Sequence, residues 1–386
     1  MRFSHFATPL SLALLLSSGC SEENLKSGTD STDDRIMSCR LGNAECADSN
    51  GDNSHHPYQG FGTDNTMGPL TGWGGFRYKP TGTYYNEKTR SWLLRGYYVN
   101  PSDQSHTVYD TPLAVQTSDS ALHAIASVLA PPDVDTMSIT YCEDATCNIT
   151  TTIVGDKLTD IALFFTLPPP LPFTGGPESS FTLTFSGGWL PPEEPADRYS
   201  KDVVGIVLNW STNGVKASSL CKGEKGATQL FVPQGRNLWN PTTFQRDSPT
   251  TTAVSFACEK GAITYCRLWG YWEGYQFSLQ NGQAFNKSDI QQACINMKVA
   301  NYCGTGPSQT KYGTQILISD PISPTLHSAV SGKYEAIWSE QGAVCDNGIL
   351  SHRHPEIPNP AGCNIPTCTA AQWLTASSSN FITSLP

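Results

Sequence analysis

Cysteine carries most of the chemistry open to this chain. Thirteen are present: Cys20, Cys39, Cys46, Cys142, Cys147, Cys221, Cys258, Cys266, Cys294, Cys303, Cys345, Cys363 and Cys368. So many thiols without metal-ligand spacing point to oxidative pairing, and hence to a compartment outside the cytosol. Setting Cys20 aside leaves an even twelve, enough for six disulfides with no thiol left over. Three pairs lie close in sequence and are expected to close local loops: Cys39 with Cys46, Cys142 with Cys147, and Cys363 with Cys368. The other six (Cys221, Cys258, Cys266, Cys294, Cys303 and Cys345) are left with about fifteen connectivities.

The remaining chemistry-bearing residues fall into three groups. Trp269, Tyr271, Trp272 and Tyr275 crowd together beside Gly270 and Gly274. Flat aromatics of this kind either stack on a sugar ring or partner chain, or fill a core beside a disulfide. Asp48, Asn50 and Asp52 place oxygen ligands at alternate positions, as calcium loops do. Position twelve of that loop is Gln59 where a calcium loop has Glu, which favours a solvated acidic turn. His352 and His354 could supply two metal ligands, and read equally as polar loop residues among Pro355, Pro358 and Pro360. No Gly-x-Ser-x-Gly elbow, His-Glu-x-x-His, phosphate-binding loop or dinucleotide fingerprint occurs. No catalytic residue and no cofactor is therefore assigned.

Cys20 belongs to a different signal. Arg2 is followed by the apolar run 10–16 and then by Ser17-Ser18-Gly19-Cys20. This order is that of an export signal, and the apolar run is too short to cross a membrane. Small residues directly before a cysteine resemble a bacterial lipoprotein box, although Ser17 stands where Leu is usual. The resemblance implies removal of residues 1–19, acylation at Cys20 and a membrane partner held through lipid. Ser21 in place of Asp implies the outer membrane.

The elements that must position these residues change along the chain. Residues 20–70 carry an excess of acids over bases and few apolar side chains, and read as a flexible tether. Residues 71–215 look all-β: short runs at 92–99, 137–142, 161–167, 180–185 and 203–210 are rich in β-branched and aromatic residues between Gly, Pro, Asp and Ser clusters. A sandwich is the natural solution for strands at this spacing. The breaker-free run 121–129 is expected to be a short helix. Residues 216–386 hold eight cysteines and one strong helix signal. There Ser288-Asp289-Ile290-Gln291 reads as a capping box, ahead of an apolar stripe through Ile290, Ala293, Cys294, Met297 and Ala300, with Gly304 as the stop. A helix reaching from Cys294 to near Cys303 separates their Cα atoms by roughly 13 Å, beyond disulfide reach. Each should bond elsewhere and clamp one end of the helix to a sheet. The expected fold class is thus β-rich α+β: an antiparallel, sandwich-like domain followed by a disulfide-stapled α+β domain.

Charge narrows the partners. The net charge is −10 over 386 residues, with only 15% charged side chains. Such a chain has no electrostatic footprint for nucleic acid.

The C-terminal region resembles the bacterial ADYC-domain family, named for an Ala-Asp-Tyr-Cys motif. The likeness rests on Ser219-Leu220-Cys221, Phe256-Ala257-Cys258, Cys266 with Trp269-Gly270-Tyr271, Gln292 to Met297, Ala300-Asn301-Tyr302-Cys303-Gly304, and Gly342-Ala343-Val344-Cys345. It runs from about Ala217 to the C-terminus. Here Asn301 replaces the motif's acid; Asn cannot serve as a general acid or base, and is expected to bond locally at a helix end as Asp would. The resemblance implies a secreted or lipid-anchored protein and assigns no activity. The function expected is that of a non-enzymatic envelope protein binding a protein or glycan. The rival classes are an extracytoplasmic hydrolase and a purely structural component.

Overall fold

In the computed structural model, the described residues are 36–38, 67, 73–103, 105–173, 177–191, 203–212, 215–221, 228–240, 243–247, 252–259, 261–268, 271–272, 287–305, 309, 315–319, 333–348, 361–376 and 381–385. In chain order the strands are β1 (Ile36–Ser38), β2 (Arg77–Asn86), β3 (Ser91–Val99), β4 (His106–Pro112), β5 (Ala114–Gln116), β6 (Leu122–Leu129), β7 (Ser138–Cys142) and β8 (Thr150–Val154). A 3₁₀ turn at Gly155–Asp160 precedes β9 (Ala162–Leu167), β10 (Ser179–Leu190), β11 (Gly205–Thr212), β12 (Val215–Ser219), β13 (Phe231–Gly235) and β14 (Ala253–Cys258). Helices α1 (Ala262–Leu268) and α2 (Lys287–Val299) follow, then β15 (Gln315–Ser319), β16 (Lys333–Ser339), β17 (Gly342–Asp346), α3 (Ala370–Ala376) and β18 (Phe381–Leu385).

Strands β2 to β14 form one thirteen-stranded antiparallel system that folds back on itself. β4 pairs with β3, and its immediate continuation β5 pairs with β9, so one bent strand turns the corner between two layers. β11 makes the second corner by pairing with β10 on one side and β13 on the other. The space between the layers is packed with aromatic and aliphatic side chains, including Trp73, Tyr78, Tyr98, Phe165, Phe181, Phe231 and Phe256. Phe165 stacks on Phe181 with centroids 5.4 Å apart, and Trp73 meets both Tyr98 and Phe181 edge-on. The alternation at 180–185 has its physical cause here: Phe181, Leu183 and Phe185 enter this core while Ser180, Thr182 and Thr184 stay partly exposed.

Three expectations change. The run 121–129 is strand β6, whose Ile125 and Val128 reach the core while its backbone pairs with β5 and β7. Tertiary pairing overrides the helix propensity of Ala and Leu there. The expected boundary at 215/216 falls inside the strand system, because β13 and β14 join β11 to β2. The expected tether also supplies structure: Ile36–Ser38 pairs antiparallel with β15, and Met67 is fully buried and exchanges two backbone hydrogen bonds with Tyr78.

The second sheet has the order β1-β15-β18-β16-β17 and carries α2 on one face. Its central strand β18 is the last of the chain. Helix α2 lies where the apolar stripe places it, with Ala293, Cys294, Met297 and Ala300 buried. It starts at Lys287, and Gln291 does not reach back to its N-terminus; its amide donates to Gln234 Oε1 at 3.1 Å. The side chain of Ser288 lies outside the described residues.

Among the described residues, five disulfides join Cys142 to Cys147, Cys221 to Cys258, Cys266 to Cys294, Cys303 to Cys363, and Cys345 to Cys368. The first is the expected local loop. The expected pairing of Cys363 with Cys368 is wrong: each reaches back to a cysteine of the central six. Those six therefore do not pair only among themselves. Cys294 and Cys303 do take separate partners, as helix length requires, yet neither bridge goes to a sheet. Cys294 is tied to α1 and Cys303 to the segment before α3. Cys20, Cys39 and Cys46 lie outside the described residues.

Loop size sets the expected ranking of these bridges. Cys303 and Cys363 are 60 residues apart, Cys142 and Cys147 only 5. By chain entropy, Cys303→Ala should cost about 4 kcal/mol and Cys147→Ala about 2 kcal/mol. Denaturant titration of both variants, with alkylation showing the newly freed thiol at Cys363 and not at Cys368, checks ranking and pairing together.

Candidate functional site

The family-like motif sits where α2 ends against the β16–β17 hairpin. Ala300 adopts the left-handed conformation, φ 53°. The amide of Asn301 then donates to Asn296 O at 2.8 Å and that of Ala300 to Met297 O at 3.3 Å. These are the two bonds of a Schellman turn, with Ala in the place where Gly is usual. The methyl of Ala300 is buried in the core beneath α2, which offsets the backbone cost of a non-glycine residue there.

Asn301 is completely buried. Its amide nitrogen donates to Thr243 O at 3.0 Å and to Asn296 Oδ1 at 3.3 Å. Both partners are oxygen acceptors, so the orientation of the amide is fixed. Asn296 Oδ1 also accepts from Gln245 Nε2 and Gln292 Nε2, while Asn296 Nδ2 donates to Ser339 O and Glu340 O. Gln292 completes the cluster, accepting from Trp239 Nε1 and the Arg246 amide and donating to Phe244 O. The expected local hydrogen bond at the helix end is present, to Asn296, but it runs from the amide nitrogen, a donor that Asp lacks.

Tyr302 and Cys303 extend the junction. The Tyr302 hydroxyl donates to Glu335, which is fully buried, and its ring lies 5.0 Å from that of Trp338. Tyr302 O accepts from the Ala343 amide, and Cys303 holds Cys363. Gly304 and Gly342 both have positive φ and touch one another. A Cβ at Gly304 would stand 2.0 Å from Gln341 O, and one at Gly342 would stand 2.6 Å from Tyr302 O. Helix end and hairpin approach closely only because both are glycine.

The aromatic group divides. Tyr271 is buried and meets Phe381 edge-on at 4.7 Å, so it belongs to the core and not to a binding face. Trp272 is half-buried with the Arg267 guanidinium 4.3 Å over its ring. Trp269 and Tyr275 lie outside the described residues, as do Asp48, Asn50, Asp52, His352 and His354. Among the described residues no group of three or more His, Cys, Asp or Glu side chains could hold a metal ion.

A second polar constellation was not foreseen. Arg95 on β3 makes a two-pronged ion pair with Asp110 on β4, at 2.9 and 2.8 Å, and a third contact to Asp247 at 2.5 Å. Tyr84 donates to Asp110 and Tyr97 to Asp247. Burial, then the Asp247 carboxylate, raises the Tyr97 hydroxyl; the hydrogen bonds that Arg95 donates to Asp110 raise Arg95. Both shifts keep Arg95 charged and Tyr97 neutral near neutrality. The cluster satisfies itself: two carboxylates and two phenols surround one guanidinium, leaving a clip between sheet and loop. Asp110 lies opposite Arg95 in the β3–β4 register, but Asp247 is 152 residues away, and no sequence spacing announces it.

The family model for the ADYC domain matches residues 155–349, half of the chain, and the chain belongs to that family. The match starts within the strand system and not near Ala217. The partners of Cys303 and Cys345, and the central strand β18, lie beyond its end. No curated protein and no solved structure matches the chain.

Two outcomes test this description. Asn301→Asp, which restores the family's acid, removes a donor and leaves a carboxyl group facing two oxygen acceptors. It should destabilise the fold by about 1–3 kcal/mol, and more as pH rises and the group ionises. Thermal melts at pH 5 and pH 8 measure both effects. His106 is held down to about 3 by burial and, secondly, by Lys79. It is neutral in the folded state, so its contribution is fully present above about pH 6.5 and lost as pH falls toward 3. His106→Gln should flatten acid destabilisation over that window by up to about 1.4 kcal/mol per pH unit, read by urea titration.

Proposed function

We propose that this member of the ADYC-domain family works outside the cytosol as a lipid-anchored protein of the cell envelope, where it binds a protein or glycan and performs no catalysis. The observation that carries the reading is the closure of the motif. Every side-chain donor of Asn301, Asn296 and Gln292 is spent on an internal acceptor, and Asn301 and Asn296 have no exposed surface. Residues so placed hold a fold together and cannot meet a substrate. Five disulfides among the described residues favour an oxidising compartment, and the order Arg2, apolar run, Ser-Ser-Gly-Cys20 favours export with acylation at Cys20. In this reading residues 20–35 span the gap between membrane and fold, since Ile36–Ser38 already pairs within the second sheet. The outer membrane is the favoured site.

Mass spectrometry of the mature chain tests the anchor. The expected N-terminal peptide begins at Cys20 and carries acyl chains, and Cys20→Ala should leave the membrane fraction. An unmodified N-terminus would overturn the proposal.

A further inference from the structure

Strand β8 ends the β6–β7–β8 run, and among the described residues no strand pairs with its outer edge. The parity of the ladder shows which backbone groups face out. Glu143 N donates to Ile149 O, and Gly155 N donates to Met137 O. Residues 149, 151, 153 and 155 therefore bond to β7, and Thr150, Thr152 and Val154 direct their amides to the open edge.

Two other outer strands among the described residues differ from β8. β17 gives its outer groups to Tyr302 O, Pro366 O and the Cys368 amide, and β12 carries Lys216. β8 has no charge, no proline and no bulge: it reads Thr-Thr-Thr-Ile-Val, all β-branched. The Cys142–Cys147 bridge fixes the turn leading into it. Val154 is 50% exposed and Ile149 57%.

From this edge we infer that the chain self-associates, β8 pairing antiparallel with β8 of a second copy about a two-fold axis at Thr152. That register is self-complementary. Thr152 exchanges both of its backbone hydrogen bonds with its own counterpart, and the amide of Val154 meets the carbonyl of Thr150 in the second copy. The solvent-side residues stay on one face, with Thr152 beside Thr152 and Thr150 beside Val154. A strand with no charge meets its own copy without repulsion, whereas the molecules as wholes, at −10 each, repel. A five-residue edge buries little area, so the dimer is weak, with a dissociation constant on the order of 100 μM. It tightens as added salt screens the net charge.

Sedimentation equilibrium of the full oxidised chain, from about 10 to about 500 μM, measures it. Hydrogen exchange at both concentrations locates it. Dimer formation should slow exchange at the Thr150, Thr152 and Val154 amides, leaving Thr151 and Ile153 protected throughout. Thr152→Pro removes an outward amide that β7 does not use, and Thr152→Lys places a charge at the axis; each should weaken association at least about tenfold. Thr152→Lys points to solvent and keeps the fold, which covers a failure of the proline variant to fold. A monomer at every concentration, a dimer with unchanged exchange at Thr150 and Thr152, or full association by Thr152→Lys would each overturn the inference.

Discussion

The buried amide cluster at the end of α2 is the constraint on which the C-terminal half depends. An amide taken out of water without a partner costs several times the net gain from one that is paired. Asn296, Asn301 and Gln292 are fully or nearly fully buried, so their partners must all be in place at once. Those partners come from three parts of the chain: main-chain carbonyls of Thr243 and Phe244, those of Ser339 and Glu340, and the side chains on α2 itself. The network thereby fixes helix, loop and hairpin in one arrangement. A partly assembled version would leave buried donors unpaired, which favours all-or-none formation.

The covalent links follow the same logic on a larger scale. Cys266–Cys294 ties α1 to α2, while Cys303–Cys363 and Cys345–Cys368 draw the segment before α3 against the motif and the hairpin. That segment leads to β18, which lies between β15 and β16. The sheet thus has its middle completed by a strand that follows all its other strands in sequence, so its hydrogen bonding cannot close until residues 381–385 are available. The two bridges shorten the search for that strand by holding its approach in place.

What the sequence revealed depended on how local each signal was. Period-two alternation marked β10, and runs bounded by turn residues marked β3, β7, β9 and β11, since burial of one face is written in neighbouring residues. The stripe through Ile290, Cys294 and Met297 marked α2 for the same reason. The run 121–129 misled because Leu, Ala, Ile and Val serve either element, and only the pairing with β5 and β7 decides. Cys363 and Cys368 misled because nearness in sequence says nothing about a segment stretched between two distant partners. Gln292 and Asn296 stand four apart on one face of the helix, among Ala293, Met297 and Ala300. That spacing was the sign of a buried polar network, and the main-chain acceptors on Phe244, Ser339 and Glu340 carried no sign at all.

Residues 236–247 show why the two halves are one structure. Trp239 and Arg246 bridge antiparallel, making this loop a narrow strap. Its adjacent residues Arg246 and Asp247 face opposite ways: Arg246 binds Asp289 on α2 at 2.5 Å, and Asp247 binds Arg95 on β3. Trp239 and Gln245 add bonds to Gln292 and Asn296 on the helical side, and Leu238 packs with Tyr84, Leu93 and Ala253 on the sandwich side. Each ion pair is partly exposed and contributes modestly alone. The strap gains its effect from serving both sides at once: Trp239, Gln245 and Arg246 hold the helical side while Leu238 and Asp247 hold the sandwich, so neither set can shift without breaking contacts of the other. The Asn301 amide completes this arrangement by holding Thr243 O. The family motif therefore reaches beyond its own hairpin, and its identity as Asn is set by an acceptor on the strap that joins helix to sandwich.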